Sequence, residues 1–301
     1  MAATAWPSNA ATSPPPSASR MTVPNCSLIT GYAGVTGRGA DTQPGPGVPL
    51  PPHWSGLRQY ELLLVDPEFR GSFYRALRNN GLFTLIVVPV QTSLALGLAV
   101  LLNARLRGIT FFRTIFFMPV VFPMALVTTV WKLIYSPDEL GLLNSVLHAI
   151  TFGHAGPVDW LGNPHTALAA IAALSIWQGA GFQMVILLAG LQHIPPALYE
   201  AAEIDGASAW QRFRHVTLPG LRGTLVFVAA ITTILAFQLF DQVYLLTRGG
   251  PQEATTTIMY QAATSAFVDN DVGRAAAITV LFFVVVLLIT LVQRRLLRGA
   301  R

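Results

Sequence analysis

From residue 81 onward the chain alternates between long apolar runs and short polar connections, the apolar runs covering approximately 81–103, 111–135, 166–191, 223–247 and 275–293. Each approaches or exceeds the roughly 20 residues an α-helix needs to cross about 30 Å of hydrocarbon. In that solvent the backbone must satisfy its own hydrogen bonds, so the runs are expected to be helices. Pro89, Pro119 and Pro123 fall inside the first two and predict kinks or local breaks, tolerable where neighbouring helices or cavity water take up the freed backbone groups. Upstream, residues 53–80 contain GLRQYELLLVDPEFRGSFYRALRNN, which reads as an amphipathic external segment. Residues 1–52, with TSPPPSAS and QPGPGVPLPP, hold too many breakers to pack a core and are expected to be disordered. They lack the charged start and apolar run of a signal peptide.

Composition agrees with the pattern. The 301 residues are 52% hydrophobic and 11% charged, against about 25% charged in soluble domains. Arginines gather at 105, 107 and 113, at 212, 214 and 222, and at 294, 295, 298 and 301. Lys and Arg near span ends stay cytoplasmic, which puts those three segments and the C-terminus inside. The connection 136–165 has Asp138, Glu139 and Asp159 but no Lys or Arg, and the one after the fourth run has only Arg248 and Arg274, so both are expected outside. Residue 80 is then external, and the preceding tail must cross the membrane with no visible export signal. A sixth, N-terminal span would remove that difficulty, and none is visible. Because the arginines carry topology, the net charge of +5 requires no nucleic-acid partner.

Enzymatic readings find little support. Cys26 is the single cysteine, which excludes an internal disulfide, and no Cys/His spacing suggests zinc. Lys132 is the single lysine, and there is no GxxxxGK[ST] phosphate loop, GxSxG or HExxH. His148, His154 and His165 have no ligand-like arrangement and read as solvated loop residues, and His215 reads as surface. A membrane-embedded enzyme would need a nucleophile and a base in the membrane, and Asp241 alone does not supply them.

The connection between the third and fourth runs, IPPALYEAAEIDGASAWQRFRHVTLPGL, is the most specific segment. Pro195 and Pro196 suit a helix start, ALYEAAEI favours helix, and Gly206 permits a sharp turn. Ser208 with Gln211 resembles a capping box opening a second helix, AWQRFRHV, which Pro219 is expected to stop. The result is a helix–turn–helix elbow outside the bilayer, offering Ala201, Ala202, Trp210 and Phe213 as apolar contacts suited to a groove on another protein.

Glu200, Ala201, Ala202, Gly206, Val216, Thr217, Leu218 and Pro219 at this spacing resemble the EAA loop of binding-protein-dependent ABC importer permeases, with Val where Ile is usual. The resemblance implies an all-α polytopic transmembrane bundle, with five visible spans where the family usually has six, and a permease domain over 81–301 carrying the EAA loop at about 195–219. It implies that Glu200, Ala201, Ala202, Asp205, Gly206, Trp210, Leu218 and Pro219 couple to a cytoplasmic ATPase. The segment FDQVYLLTRGGPQEATTTI, with GLRQYELLLVDPEF and FFRTIFFMPVVFP, is similar to the larger-partner sugar permeases of the maltose and glycerol-phosphate type. Together the similarity runs from about residue 54 to the C-terminus. Family members have their first transmembrane helix where residues 1–52 stand, so an altered reading frame or mis-set start is expected in preference to a true five-span variant.

The resemblance further implies a second homologous permease, an ABC ATPase dimer that binds ATP and Mg in place of this chain, and an extracytoplasmic solute-binding protein, all at a bacterial or archaeal plasma membrane. Within the bilayer, polar groups are costly unless they face a bundle interior or a wet path. Ser175, Gln178, Gly179 and Phe182 share one helical face and Phe237, Gln238, Asp241 and Tyr244 another, so Gln178, Gly179, Phe182, Phe237, Gln238 and Asp241 are the candidate sugar path. The competing assignment is that they join helix to helix. Other open readings are the same architecture importing glycerol phosphate, another polyol, an amino acid or a peptide, and a non-transporting scaffold.

Overall fold

The first apolar run begins earlier than its hydropathy suggests. In the computed structural model, which describes residues 57–103, 108–138, 141–152, 154 and 156–298, a short helix α1 (Arg58–Leu64) leads into α2 (Pro67–Leu101). Pro67 opens α2 at a position where its missing N–H costs nothing, and nothing interrupts the helix at residue 80. The expected external segment and first span are therefore largely one helix of 35 residues, about 52 Å long at 1.5 Å per residue. That exceeds the hydrocarbon by about 20 Å, so the turns bearing Arg70, Arg75 and Arg78 project beyond it. Their amphipathic character is real, since Phe73 and Ala76 are buried while Tyr74, Arg75 and Arg78 are exposed. The expected disorder of residues 1–52 lies outside the described residues.

The second run is a broken pair. Helix α3 (Ile109–Val121) contains Pro119, and α4 (Met124–Ile134) follows at a bend of 98°. Phe122 is extended, with ψ of 137°, as the residue before a proline tends to be. The connection 136–165, expected as an external loop, carries α5 (Leu142–Ile150). Buried Asn144 organises it by donating to the carbonyls of Ser136, Asp138 and Val158 and accepting from the Val158 amide and the Trp160 indole at 2.8 Å.

Helix α6 (Ala167–Gln192) is the central element, and α2, α3 and the later helix α10 (Arg222–Phe237) all pack on it. Its contact with α3 depends on Gly181, where an added Cβ would lie 2.0 Å from the Phe116 carbonyl oxygen. Backbone cannot yield as a side chain can, so Gly181→Ala is expected to push α3 from α6 at a cost of about 1–3 kcal/mol. Thermal unfolding in detergent reads this directly, and an unchanged midpoint would refute the close packing.

The fourth run also divides. Helix α10 ends at Phe237, residues 238–240 are non-helical, and α11 (Asp241–Leu246) resumes the chain. Helix α12 (Ile258–Phe267) then turns back into α13 (Val272–Arg298). Among the described residues three helices are long and apolar enough to cross a membrane, Phe69–Leu101, Ala167–Gln192 and Val272–Gln293, and up to five crossings result if each bent pair counts as one. The architecture is the expected all-α polytopic bundle, with the second and fourth of its five runs interrupted. Its apolar core follows the helices: Phe83, Ile171, Leu174 and Val243 join α2, α6 and α11, while Met184, Leu187, Leu221 and Val228 join α6 to α10.

Candidate functional site

The elbow is built by local rules. Helix α7 (Pro196–Ile204) has Pro196 in its first turn and Pro195 as its cap. It ends in a Schellman closure: the Gly206 amide donates to Glu203 O and the Ala207 amide to Ala202 O at 2.9 Å. This closure needs a left-handed residue after the cap, and Gly206 supplies it with φ of +75°. Helix α8 (Ala209–Arg212) then opens with the expected capping box, the Ser208 amide donating to Gln211 Oε1 at 2.7 Å and the Gln211 amide to Ser208 Oγ.

Pro219 does not stop this second arm. The chain passes from α8 through a π-helical turn at Phe213–Thr217 into α9 (Leu218–Gly220), which contains the proline. A proline ring clashes with the carbonyl four residues back in an α-helix. Widening the preceding turn, where the Leu218 amide donates to Phe213 O, moves that carbonyl aside. The stop comes two residues later as a 67° bend into α10.

Side chains fasten the two arms to each other and to the bundle. Glu203 and Arg212 pair across the turn at 3.3 Å, an exposed bridge worth no more than about 1 kcal/mol. Tyr199 and Thr217 share a hydroxyl–hydroxyl bond of 3.0 Å, and Ile194 and Leu221 are buried beneath them. Outward, Trp210 is 67% exposed and stacks on Phe213 at 5.5 Å, while Ile204 is 87% exposed. Glu200, Ala201, Asp205 and Gly206 are exposed as well, as are Leu218 and Pro219, and Ala202 is half-buried. A notch of about 260 Å³ lies between the arms, lined by Ala202, Asp205, Gly206, Gln211, Arg212 and His215 among others. The anticipated coupling residues are thus exposed except for half-buried Ala202, and Ala202, Asp205 and Gly206 come together at the notch. Ile204, more exposed than Trp210, carries no distinguishing signal in the sequence because it reads as ordinary helix.

The candidate path residues divide. On α6, Gln178 is half-buried and Phe182 partly exposed. Gly179 instead faces α2, where a Cβ would lie 2.3 Å from Gln91 Nε2, so it serves helix contact. The expected shared face of Phe237, Gln238, Asp241 and Tyr244 does not exist as a helical face, because the helix breaks at 238–240. Phe237 is buried in the core, whereas Gln238 and Asp241 are exposed at the break. Helix α11 packs on α4 and α6, which brings the helix of Asp241 beside that of Gln178. Phe240, inside the break, stacks on Tyr244 at 5.4 Å and approaches Tyr260 at 6.5 Å. Burial holds the Tyr260 hydroxyl above the ordinary phenol range, and it donates to Arg248 O at 2.8 Å. No periodicity marks Phe240 or Tyr260, since neither lies on the interrupted face.

A knot of polar side chains fixes this break. Asn80, fully buried on α2, donates to Ala236 O and Phe237 O and accepts from the Ile258 amide at 2.9 Å. Asn79 donates to Glu253 O and Thr256 O, and Arg75 pairs with the Glu253 carboxylate at 2.6 Å. Thr257 donates to Leu239 O. Residues near 240 and 256 are thereby tied to α2, more than 150 positions away in sequence. Among the described residues no group of three or more His, Cys, Asp and Glu could hold a metal ion.

The chain is similar to known transport proteins over most of its length. Residues 91–301 match the family described as binding-protein-dependent transport system inner membrane component. The trehalose/maltose transport system permease protein MalF of Thermococcus litoralis is 39% identical over 237 residues, covering 79% of this chain and 77% of that protein. The probable ABC transporter permease protein YurN of Bacillus subtilis is 37% identical over 243 residues, covering 80% and 81%. A chain from the crystal structure of a bacterial ABC transporter that imports the acidic polysaccharide alginate superposes with a TM-score of 0.70 at 25% identity, covering 82% of this chain and 85% of that one.

Proposed function

This chain belongs to the binding-protein-dependent transport system inner membrane components, and from that premise we propose that it is the pore-forming subunit of a carbohydrate importer, driven through the elbow by a separate ATPase. The observation that carries the coupling role is the elbow itself: two capped arms, rigid at Gly206 and fastened at Tyr199 and Thr217, with Trp210 and Ile204 held outward. Apolar side chains of this size are costly to leave in water and suit a groove on a partner. The carbohydrate assignment is supported by the trehalose/maltose and alginate relatives, and by exposed Gln238 and Asp241 beside the stacked Phe240 and Tyr244. Amide and carboxylate groups bond sugar hydroxyls, and aromatic faces cover the apolar side of a pyranose.

In this reading the chain pairs with a second permease, receives solute from an external binding protein and binds no nucleotide. ATP and Mg are held by the ATPase dimer, whose closure draws the elbows together and biases the spans between two packings. The C-terminal arginines support a cytoplasmic location for that end.

The test is reconstitution with the cognate ATPase, second permease and binding protein, and uptake of labelled maltose-type oligosaccharide, glycerol phosphate and dipeptide. Oligosaccharide uptake that requires ATP supports the reading, and uptake of dipeptide alone overturns the solute class. Exposed Glu200 is expected to be needed for docking. Glu200→Arg should cut the recovered ATPase about tenfold, equivalent to about 1.4 kcal/mol, while the chain stays inserted. Full recovery would remove Glu200 from the contact.

A further inference from the structure

The elbow continues directly into α10, and α10 is bonded on one side by a buried glutamine and on the other by a half-buried one. Gln183 of α6, 1% exposed, donates its amide N–H to Thr232 Oγ1 at 2.5 Å, and Gln293 of α13 donates to Thr233 Oγ1 at 2.7 Å. Each threonine hydroxyl passes its own proton down its helix, Thr232 to Val228 O and Thr233 to Ala229 O. Two consecutive residues of one helix thus accept from two different neighbouring helices. The Oε1 atoms of both glutamines are buried and have no partner. A purely structural joint would be expected to satisfy them, because an unpaired amide oxygen away from water costs free energy.

We infer that Gln183, Thr232, Thr233 and Gln293 form a polar clutch that makes α6 and α13 follow α10 when the elbow moves, and that the free Oε1 atoms are acceptors used in the other packing of the bundle. The four are positioning residues, and none contacts solute. The direction of force follows from the connections: the 67° bend joins the elbow to α10, and α10 packs on α2, α6 and α13. Apolar contacts resist separation but let helices slide, whereas a directional bond from each side resists rotation about the helix axis. Helix α6 carries Gln178 and Phe182, so a clutch at Gln183 lies one turn from the candidate path. Without it, the elbow would swing α10 while α6 lagged, and ATP would be hydrolysed without transfer of solute.

This rests on the elbow reading proposed above, and the experiment separates the two. The full transporter is reconstituted with wild type, Thr232→Val, Thr233→Val, the double variant, and Thr232→Ser with Thr233→Ser. ATPase recovery, ATP hydrolysis with loaded binding protein, and labelled oligosaccharide uptake are measured on each. Interhelical bonds of this kind carry an average effect of about threefold in an equilibrium constant. Uptake per ATP should therefore fall about threefold in each valine variant and about tenfold in the double variant, with ATPase recovery unchanged. The serine pair keeps both hydroxyls and should restore the ratio. If valine variants lower hydrolysis and uptake together at an unchanged ratio, the bonds are structural and the clutch is overturned while the elbow reading stands. If wild type recovers no ATPase, both are overturned.

Discussion

Gly206→Glu should abolish uptake while leaving the chain inserted in the membrane. Gly206 has φ of +75° and a Cβ added there would meet nothing within 4 Å. The penalty is consequently conformational and electrostatic, with no steric part. A non-glycine residue in the left-handed region costs roughly 1–2 kcal/mol. The chain can escape that cost only by abandoning the closure in which Gly206 and Ala207 bond back to Glu203 and Ala202, and the arms then lose their fixed angle. Glutamate adds a negative charge beside Asp205 and Glu203, at the rim of the notch between the arms. The folded bundle lies on the other side of Ile194 and Leu221, so insertion is spared. Uptake should fall by more than about tenfold, since a loss above about 1.4 kcal/mol at the proposed docking surface suffices. Gly206→Asn, which tolerates the left-handed region, should retain most activity, with Gly206→Ala between. Wild-type uptake from the glutamate variant would show that the turn does not set the coupling geometry.

The elbow could be read in advance because everything that shapes it lies within a few residues. Pro196, Gly206, Ser208 and Gln211 act through helix-start, left-handed-turn and capping rules that involve neighbours only. The five runs were legible for a similar reason, since hydropathy is a local average. What failed depended on geometry the pattern does not encode. A rule about proline in an α-helix ended the second arm at Pro219, but a π turn at Phe213–Thr217 changes the frame of that rule. A helical face was drawn through Phe237 and Asp241 because nothing in the local sequence interrupts it. The interruption at 238–240 is held from outside by Asn80 and Thr257. Nor did any local signal mark the end of the amphipathic segment at residue 80, and there is none: α2 runs straight through it.

Asn80→Leu tests that long-range hold and should be the most destabilising single change around the break at 238–240. The side chain is fully buried and serves three partners, the Ala236 and Phe237 carbonyls and the Ile258 amide. The two carbonyls belong to the last turn of α10, where no following helical N–H can bond them, and the Ile258 amide begins α12 with the same deficit. Leucine nearly matches the shape and removes every bond. Each buried group left unpaired costs about 1–3 kcal/mol, so the three together give about 3–9 kcal/mol before relaxation. Water could enter beside a smaller residue, so Asn80→Ala should cost less than Asn80→Leu despite the larger void. Asn79→Leu should cost less than either Asn80 variant, because two carbonyls lose a donor and no amide is stranded. Thermal unfolding in detergent should rank Asn80→Leu below Asn80→Ala below Asn79→Leu. Proteolysis in the segment 247–257 should instead rise most in Asn79→Leu, because Asn79 and not Asn80 bonds that segment to α2. If Asn80→Leu unfolds with wild type, the break at 238–240 is held by the apolar contacts of Phe237 and Leu239 instead, and the polar knot is incidental to the candidate path.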